Sequence, residues 1–136
     1  MMAHIFPVRV YYSDTDAGGI VYHARYLDFA EHARTELLRS ISSGHQAQSE
    51  RMALERLAFV VKSLTVEYHR PALLDDFLEI HTTIEQSKRF SMTFLQRVLR
   101  NNDEVATLRV KVGSINLETK AIMPIESWIT EAASRL

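Results

Sequence analysis

The stretch Tyr12-Ser-Asp-Thr-Asp-Ala-Gly-Gly-Ile-Val-Tyr-His-Ala-Arg-Tyr-Leu-Asp-Phe-Ala-Glu-His-Ala-Arg-Thr-Glu-Leu-Leu-Arg-Ser-Ile41 changes character part-way along. Ser13 to Gly19 is built from carboxylates, small residues and glycine, the composition of a loop. From about Tyr22 to Ile41 the period becomes helical, with Tyr26, Phe29, Ala30, Ala33, Leu37, Leu38 and Ile41 at spacings that put them on one face. Asp28, Glu31, Arg34, Glu36 and Arg39 fall on the other faces, where Glu31 and Glu36 are placed to pair with Arg34 and Arg39. A helix of about 18 residues is roughly 27 Å long, enough to cross one face of a sheet. Ser42-Ser-Gly44 supplies its stop.

Outward from this helix the pattern is one of strands. Upstream, Phe6 to Tyr12 carries β-branched Val8 and Val10 among aromatics and reads as a first strand. Downstream, Gln46 to Arg56 is polar and reads as a short helix or ordered loop. Phe59 to Tyr68 is β-rich. Arg70 to Asp76 contains Pro71 and reads as a turn or bulge, because proline cannot donate to a ladder. Phe77 to Gln86, Phe90 to Arg100 and Glu104 to Asn116 read as three long strands, with Asn101-Asn-Asp103 as a hairpin turn. Thr119 to Pro124 closes the sheet region, and Ile125 to Leu136 reads as a modest helix. One strand, one long apolar helix and then a run of strands is an α+β order, an antiparallel sheet packed on a helix. The connection lengths suit a meander, and the pattern allows a sheet wrapped around one central helix.

Composition narrows the class of function. The chain has 136 residues, 46% of them hydrophobic and 24% charged, which suits one domain spanning residues 1–136 with an ordinary core. Sixteen basic and 17 acidic residues give a formal net charge of -1, so neither nucleic acid nor an anionic membrane is expected as a partner. The absence of cysteine excludes disulfides, Cys-ligated zinc and a Cys nucleophile. The histidines at 4, 23, 32, 45, 69 and 81 show no tight ligand spacing, so no metal is expected. No apolar run approaches the roughly 20 residues needed to span a bilayer, and the first residues do not form a secretory signal. A soluble cytoplasmic protein is expected.

The loop ahead of the helix is where chemistry concentrates. Asp14 and Asp16 can serve as turn residues or caps, with Gly18 and Gly19 as turn formers. The same residues also suit acyl transfer. A helix start offers unpaired N–H groups and partial positive charge, which polarise a carbonyl and stabilise its oxyanion. A carboxylate on the preceding loop can attack that carbonyl or activate water, and glycine lets the backbone approach a ligand.

The segment Tyr12 to Tyr26, followed by Glu31-His-Ala-Arg-Thr-Glu-Leu-Leu-Arg39, resembles the 4-hydroxybenzoyl-CoA thioesterase family of hotdog proteins, in particular its YbgC-like branch associated with the Tol–Pal system. The likeness extends over Ala58-Phe-Val-Val61, Val66 to Asp76 and Gln96-Arg-Val98, most of the chain. It implies a hotdog fold and hydrolysis of acyl-CoA to a free acid and CoA, with CoA a part of the substrate and no retained cofactor. It maps the catalytic carboxylate to Asp16, as nucleophile or general base, and the carbonyl-polarising N–H to His23. Gly19 and Tyr22 match the motif as substrate-binding positions. Asp14 is left to order the loop by bonding backbone amides, and Lys88 and Arg89 are candidates for meeting the CoA phosphates. Ser13 and His69 (the latter in place of an aromatic residue) depart from the family pattern, at positions that bear on acyl preference and not on the implied chemistry. The resemblance also implies a homo-oligomer, a dimer or a dimer of dimers (a homotetramer). Its alternatives are an acyl-carrier-protein thioesterase and a non-catalytic acyl-CoA-binding or Tol–Pal-associated interaction module.

Overall fold

The structure, a computed structural model, describes residues 3–42 and 47–136. Ser43 and Gly44, expected to end the long helix, and Gln46, expected to open the polar segment, lie outside the described residues. The elements run β1 (His4–Arg9), α1 (Arg25–Ile41), α2 (Ala47–Glu50), β2 (Leu57–Tyr68), β3 (Phe77–Ser87), β4 (Met92–Arg100), β5 (Asp103–Asn116), β6 (Ile122–Met123) and α3 (Ser127–Ser134). A π-helical turn at Arg51–Glu55 follows α2. This is the α+β hotdog arrangement, an antiparallel sheet with α1 laid across one face.

The sheet order is β1-β3-β4-β5-β2, with β6 pairing the end of β5 at Ser114 and Ile115. Only β3 to β5 form a meander, so the simple meander expected from connection lengths holds for part of the sheet. β2 pairs with β5 instead of β3, placing Tyr68 opposite Ala106. The chain must therefore cross the end of the sheet over residues 69–76 before β3 begins beside β1. Three strand spacings are roughly 14 Å, well within reach of eight extended residues. Asn101, at a φ of 57°, begins the tight β4–β5 turn in the left-handed region that asparagine tolerates.

One strand end and one helix start differ from the sequence expectation for a shared reason. β1 ends at Arg9, because Val10 bonds the crossover instead of a strand: its N–H donates to the Asp76 carbonyl and its carbonyl accepts from the Asp75 N–H. Helix α1 begins at Arg25 and not near Tyr22, because the Val21 N–H donates to the Ala72 carbonyl and the Tyr22 N–H to the Asp14 carbonyl. Both segments are held extended by partners distant in sequence. Pro7 is tolerated in β1 because that strand lies at the sheet edge.

The core forms between α1 and the facing side of the sheet. Tyr26, Phe29, Ala30, Ala33, Leu37 and Leu38 are the buried face of α1. Leu78 and Ile80 of β3, Met92, Phe94 and Val98 of β4, and Leu108 and Val110 of β5 alternate inward to meet it. Fully burying side chains of this size contributes about 1.5–3 kcal/mol each. Ala30 and Ala33, both without exposed surface, let the helix sit close to the strands.

One buried polar side chain fixes the helix against the sheet. Gln96 on β4 is 0% exposed, yet all its groups are matched. Its Nε2 donates to the Ala30 carbonyl (2.9 Å) and Thr82 Oγ1 (3.1 Å), and its Oε1 accepts from Arg34 Nη1 (2.9 Å). Arg34 therefore turns inward and does not form the ion pair with Glu31 suggested by the sequence; burial holds its guanidinium below its ordinary pKa. Glu31 accepts instead from Thr35 Oγ1 at 2.5 Å, whereas Glu36 does pair with Arg39.

A second network ties down the C-terminal helix. Arg51 is buried and donates through Nε (2.6 Å) and Nη2 (2.8 Å) to the two carboxylate oxygens of Glu126, and through Nη2 to Ser114 Oγ (2.7 Å). Its guanidinium lies 4.0 Å from the Phe59 ring centroid. These contacts join the segment after α2, the end of β5 and the start of α3.

Gln96→Leu keeps approximate size but strands Arg34 and Thr82 without their partner. It is expected to lower unfolding free energy by about 1–3 kcal/mol, read from the denaturation midpoint in urea. A wild-type midpoint would show that Gln96 does not hold the helix.

Candidate active site

The loop ahead of α1 folds as a small closed turn. The Asp16 N–H donates to the Ile20 carbonyl, the Gly19 N–H to the Asp16 carbonyl, and Thr15 bridges to Val21. Gly19 takes a φ of 81°, a left-handed conformation that glycine adopts without a steric penalty. At Gly18 the constraint is space, since a Cβ there would come within 3.2 Å of Asp16 Oδ1. That oxygen accepts the Gly18 N–H at 2.8 Å. Asp16 Oδ2 has no protein hydrogen-bond partner among the described residues.

The two aspartates of the motif do different work. Asp14 turns back into the loop, where its Oδ2 accepts the Tyr11 N–H at 2.8 Å and its Oδ1 lies 3.4 Å from Arg25 Nε. Asp16 faces outward into a cleft of about 450 Å³. Ile20, Val21 and His23 line it from the same segment, Tyr26 from α1, and Tyr68 to Pro71 from the end of β2 and the crossover.

The start of α1 opens onto this cleft uncapped. The residue preceding the helix is Ala24, which has no side chain to accept the free amides. The Arg25 N–H bonds the Tyr22 carbonyl and the Leu27 N–H bonds that of Ala24. The N–H groups of His23 and Ala24 have no protein acceptor among the described residues. Tyr68 Oη donates to the His23 carbonyl at 2.7 Å and so fixes the peptide that carries the Ala24 N–H. Burial pushes the pKa of both Tyr26 and Tyr68 up, so each stays a neutral phenol near neutral pH.

The crossover that forms the opposite wall is itself strapped. Arg100 Nη1 donates to the Pro71 carbonyl (3.1 Å) and to Asp76 Oδ2 (2.6 Å), and Asp76 Oδ2 also accepts the Leu73 N–H (2.8 Å). Burial alone would raise the Asp76 pKa, but the Leu73 and Arg100 hydrogen bonds outweigh it and hold the carboxyl below its ordinary range.

Of the residues singled out from the sequence, Asp16 and His23 share the cleft. Gly19 shapes the turn behind it, and the half-exposed Tyr22 packs its ring against that of His23 with centroids 4.5 Å apart; neither lines the cleft. Lys88 and Arg89 sit in the β3–β4 turn, where the Lys88 N–H bonds the Ser91 carbonyl and the Arg89 carbonyl accepts from Ile125. The 11 residues of β3 separate them from the crossover, roughly 35 Å along the strand, so one chain does not bring them to Asp16. Tyr26, expected on the core face of the helix, and His69, expected to bear on acyl preference, both line the cleft, and Tyr68 and Arg70 join them with no role read from the sequence. The signal was the run Tyr68-His-Arg-Pro71 at the end of a strand, but its position depends on β2 pairing with β5. Among the described residues, no cluster of three or more His, Asp or Glu side chains is placed to hold a metal. No helix among them is long and apolar enough to cross a membrane.

Comparison with known proteins is consistent with this geometry. A family profile described as the thioesterase-like superfamily matches residues 10–133. The acyl-CoA thioester hydrolase YbgC of Escherichia coli O6:H1 is 46% identical over 121 residues, covering 86% of this chain and 87% of that protein. The acyl-CoA thioesterase YbgC of Haemophilus influenzae is 48% identical over 112 residues, covering 82% and 80%. The crystal structure of a 1,4-dihydroxy-2-naphthoyl-CoA thioesterase from Synechocystis superposes with a TM-score of 0.89, over 98% of this chain and 97% of that one; at 20% identity it speaks for the fold alone.

The crossover strap carries a pH signature. Because the folded-state pKa of Asp76 is depressed, its contribution to stability is present above the unfolded carboxylate value of about 4. It is lost as pH falls through the lower folded value. Asp76→Asn should lower the melting temperature at pH 6 and flatten its decline between pH 5 and 3, read by thermal scans. A decline as steep as wild type would show that the strap is not charge-held.

Proposed function

The chain belongs to the thioesterase-like superfamily, and from that membership we propose that it hydrolyses acyl-CoA thioesters to a carboxylic acid and CoA in the cleft beside Asp16. One observation carries the reading: a carboxylate oxygen without a protein partner among the described residues shares a cleft with the uncapped start of α1. The thioester carbonyl oxygen lies toward the free N–H groups of His23 and Ala24. As the carbonyl carbon becomes tetrahedral, its oxygen gains charge, and fixed amides facing that charge stabilise the transition state more than the ground state. Asp16 supplies the attack, either through Oδ2 on the carbonyl carbon or by taking a proton from a water that adds there. The Gly18 N–H on Oδ1 leaves Oδ2 as the reacting oxygen.

The working form is an oligomer of this chain. β2 is an edge strand with its outer backbone groups unpaired by the sheet, and Val61 (48%) and Leu64 (38%) are exposed on it. Long edge strands that end free are templates for pairing, and a second copy of β2 in antiparallel register satisfies the edge and covers both side chains. The same association is what brings a second chain's Lys88 and Arg89 into consideration for the CoA phosphates, since their own chain holds them far from Asp16.

Two measurements test these points. Asp16→Asn should lower kcat on an acyl-CoA panel by about 10²–10⁴-fold with circular dichroism unchanged; wild-type turnover would sink the assignment. Leu64→Asp should shift the species seen by light scattering toward the 15.6 kDa monomer, and an unchanged mass would remove β2 as the interface.

A further inference from the structure

The departing sulfur in the reaction above has yet to receive a proton. Breaking the C–S bond puts the electron pair on sulfur, and a thiol with an ordinary pKa of about 8.5 departs more easily if protonated as it leaves. Asp16 is engaged at the carbonyl carbon. As nucleophile it has no proton to give, and a second group in the cleft can then serve as donor.

His69 lies in the wall of the cleft it shares with Asp16. Its Nε2 is 2.9 Å from Thr107 Oγ1 and 3.5 Å from Glu104 Oε2. Thr107 has a single hydroxyl hydrogen, and its Oγ1 is 2.5 Å from Glu104 Oε2, so that hydrogen lies toward the carboxylate. Toward His69 the hydroxyl oxygen can only accept. In this arrangement Nε2 donates to Thr107 Oγ1, which leaves Nδ1 as the nitrogen open to the substrate. Nδ1 has no hydrogen-bond partner among the described residues.

The supporting shell is charged and ordered. Glu104 also accepts from Arg97 Nε at 2.5 Å. Its hydrogen bonds from Thr107 and Arg97 outweigh burial and hold its carboxyl below the ordinary range. When Nδ1 takes a proton, the imidazolium thus stands beside a fixed carboxylate on β5. The other charged groups facing this corner are Arg97 of β4, the Arg70–Asp103 ion pair beside the strap, and Asp16 across the cleft.

We propose that His69 is the general acid of the reaction, passing the proton on Nδ1 to the CoA sulfur as the C–S bond breaks. The proposal rests on the reading that Asp16 acts at the carbonyl. With Asp16 as base, water loses one proton to Asp16 and its oxygen bonds the carbonyl carbon; the intermediate collapses, the C–S electron pair goes to sulfur, and sulfur takes the His69 proton. Asp16 then returns its proton to solvent and Nδ1 regains one, leaving acid and thiol as the products. With Asp16 as nucleophile, the same transfer occurs when the acyl–enzyme anhydride forms, and the neutral Nδ1 then deprotonates the water that cleaves it.

The test varies the leaving group. For wild type, His69→Gln, Thr107→Val and Asp16→Asn, kcat is measured across pH on two thioesters of one acyl group, that of CoA and that of thionitrobenzoate, an acidic aryl thiol that needs no proton to depart. His69→Gln should lose about 10²-fold on the CoA ester and less than about 3-fold on the aryl ester. Thr107→Val, which keeps the imidazole, should lose less, again on the CoA ester only. Equal losses on both esters, or none on either, overturn the proposal. If Asp16→Asn turns over like wild type, the underlying reading fails; an inactive Asp16→Asn with leaving-group-independent losses at His69 overturns the acid role alone.

Discussion

The hydrogen bond from the Val21 N–H to the Ala72 carbonyl joins the two segments that make the cleft. On one side of it lies the Asp16 turn and the start of α1, on the other the crossover from β2 to β3. Neither segment is regular structure, so neither would hold a shape alone. Each is fixed because the other satisfies its backbone groups, as burial away from water requires. The Val10 bonds to Asp75 and Asp76, and the Arg100 contacts to Pro71 and Asp76, extend the same seam.

This seam explains why the helix start is free to act on a substrate. The His23 and Ala24 amides stand ahead of the first intrahelical bond, where no carbonyl four residues back accepts them. The Val21 and Tyr22 N–H groups are instead committed to Ala72 and Asp14, which forces the chain to enter the helix late. Asp14 and Ala24 complete the effect. Asp14 spends its carboxylate on Tyr11 and Arg25 and so does not cap α1, while Ala24 has nothing to cap it with.

Polar groups elsewhere serve position. Gln96 sits in the middle of an otherwise apolar interface, and replacing water with Ala30, Thr82 and Arg34 leaves it no net penalty while fixing the helix in one register over the strands. The Arg51–Glu126 pair does the same for α3. Such contacts contribute modestly to stability, but they select one arrangement among several that bury similar area.

The sequence by itself determined the α+β class, the long helix with its apolar stripe, the hairpin at Asn101, and Asp16 and His23 as neighbours at a helix entrance. These follow from local periodicity, turn chemistry and a motif contained within 12 residues. It left unread the pairing of β2 with β5, the inward turn of Arg34, and the arrival of Tyr68, His69 and Arg70 beside Asp16. It also set Lys88 and Arg89 among the site residues, where one chain holds them a strand length away. The cause is the same in each case. Strand order and side-chain partners depend on contacts between residues 38 or more positions apart, such as Tyr68 with Ala106, Tyr68 with His23 or Arg34 with Gln96, and no local pattern records which of the available partners a folded chain will bring together.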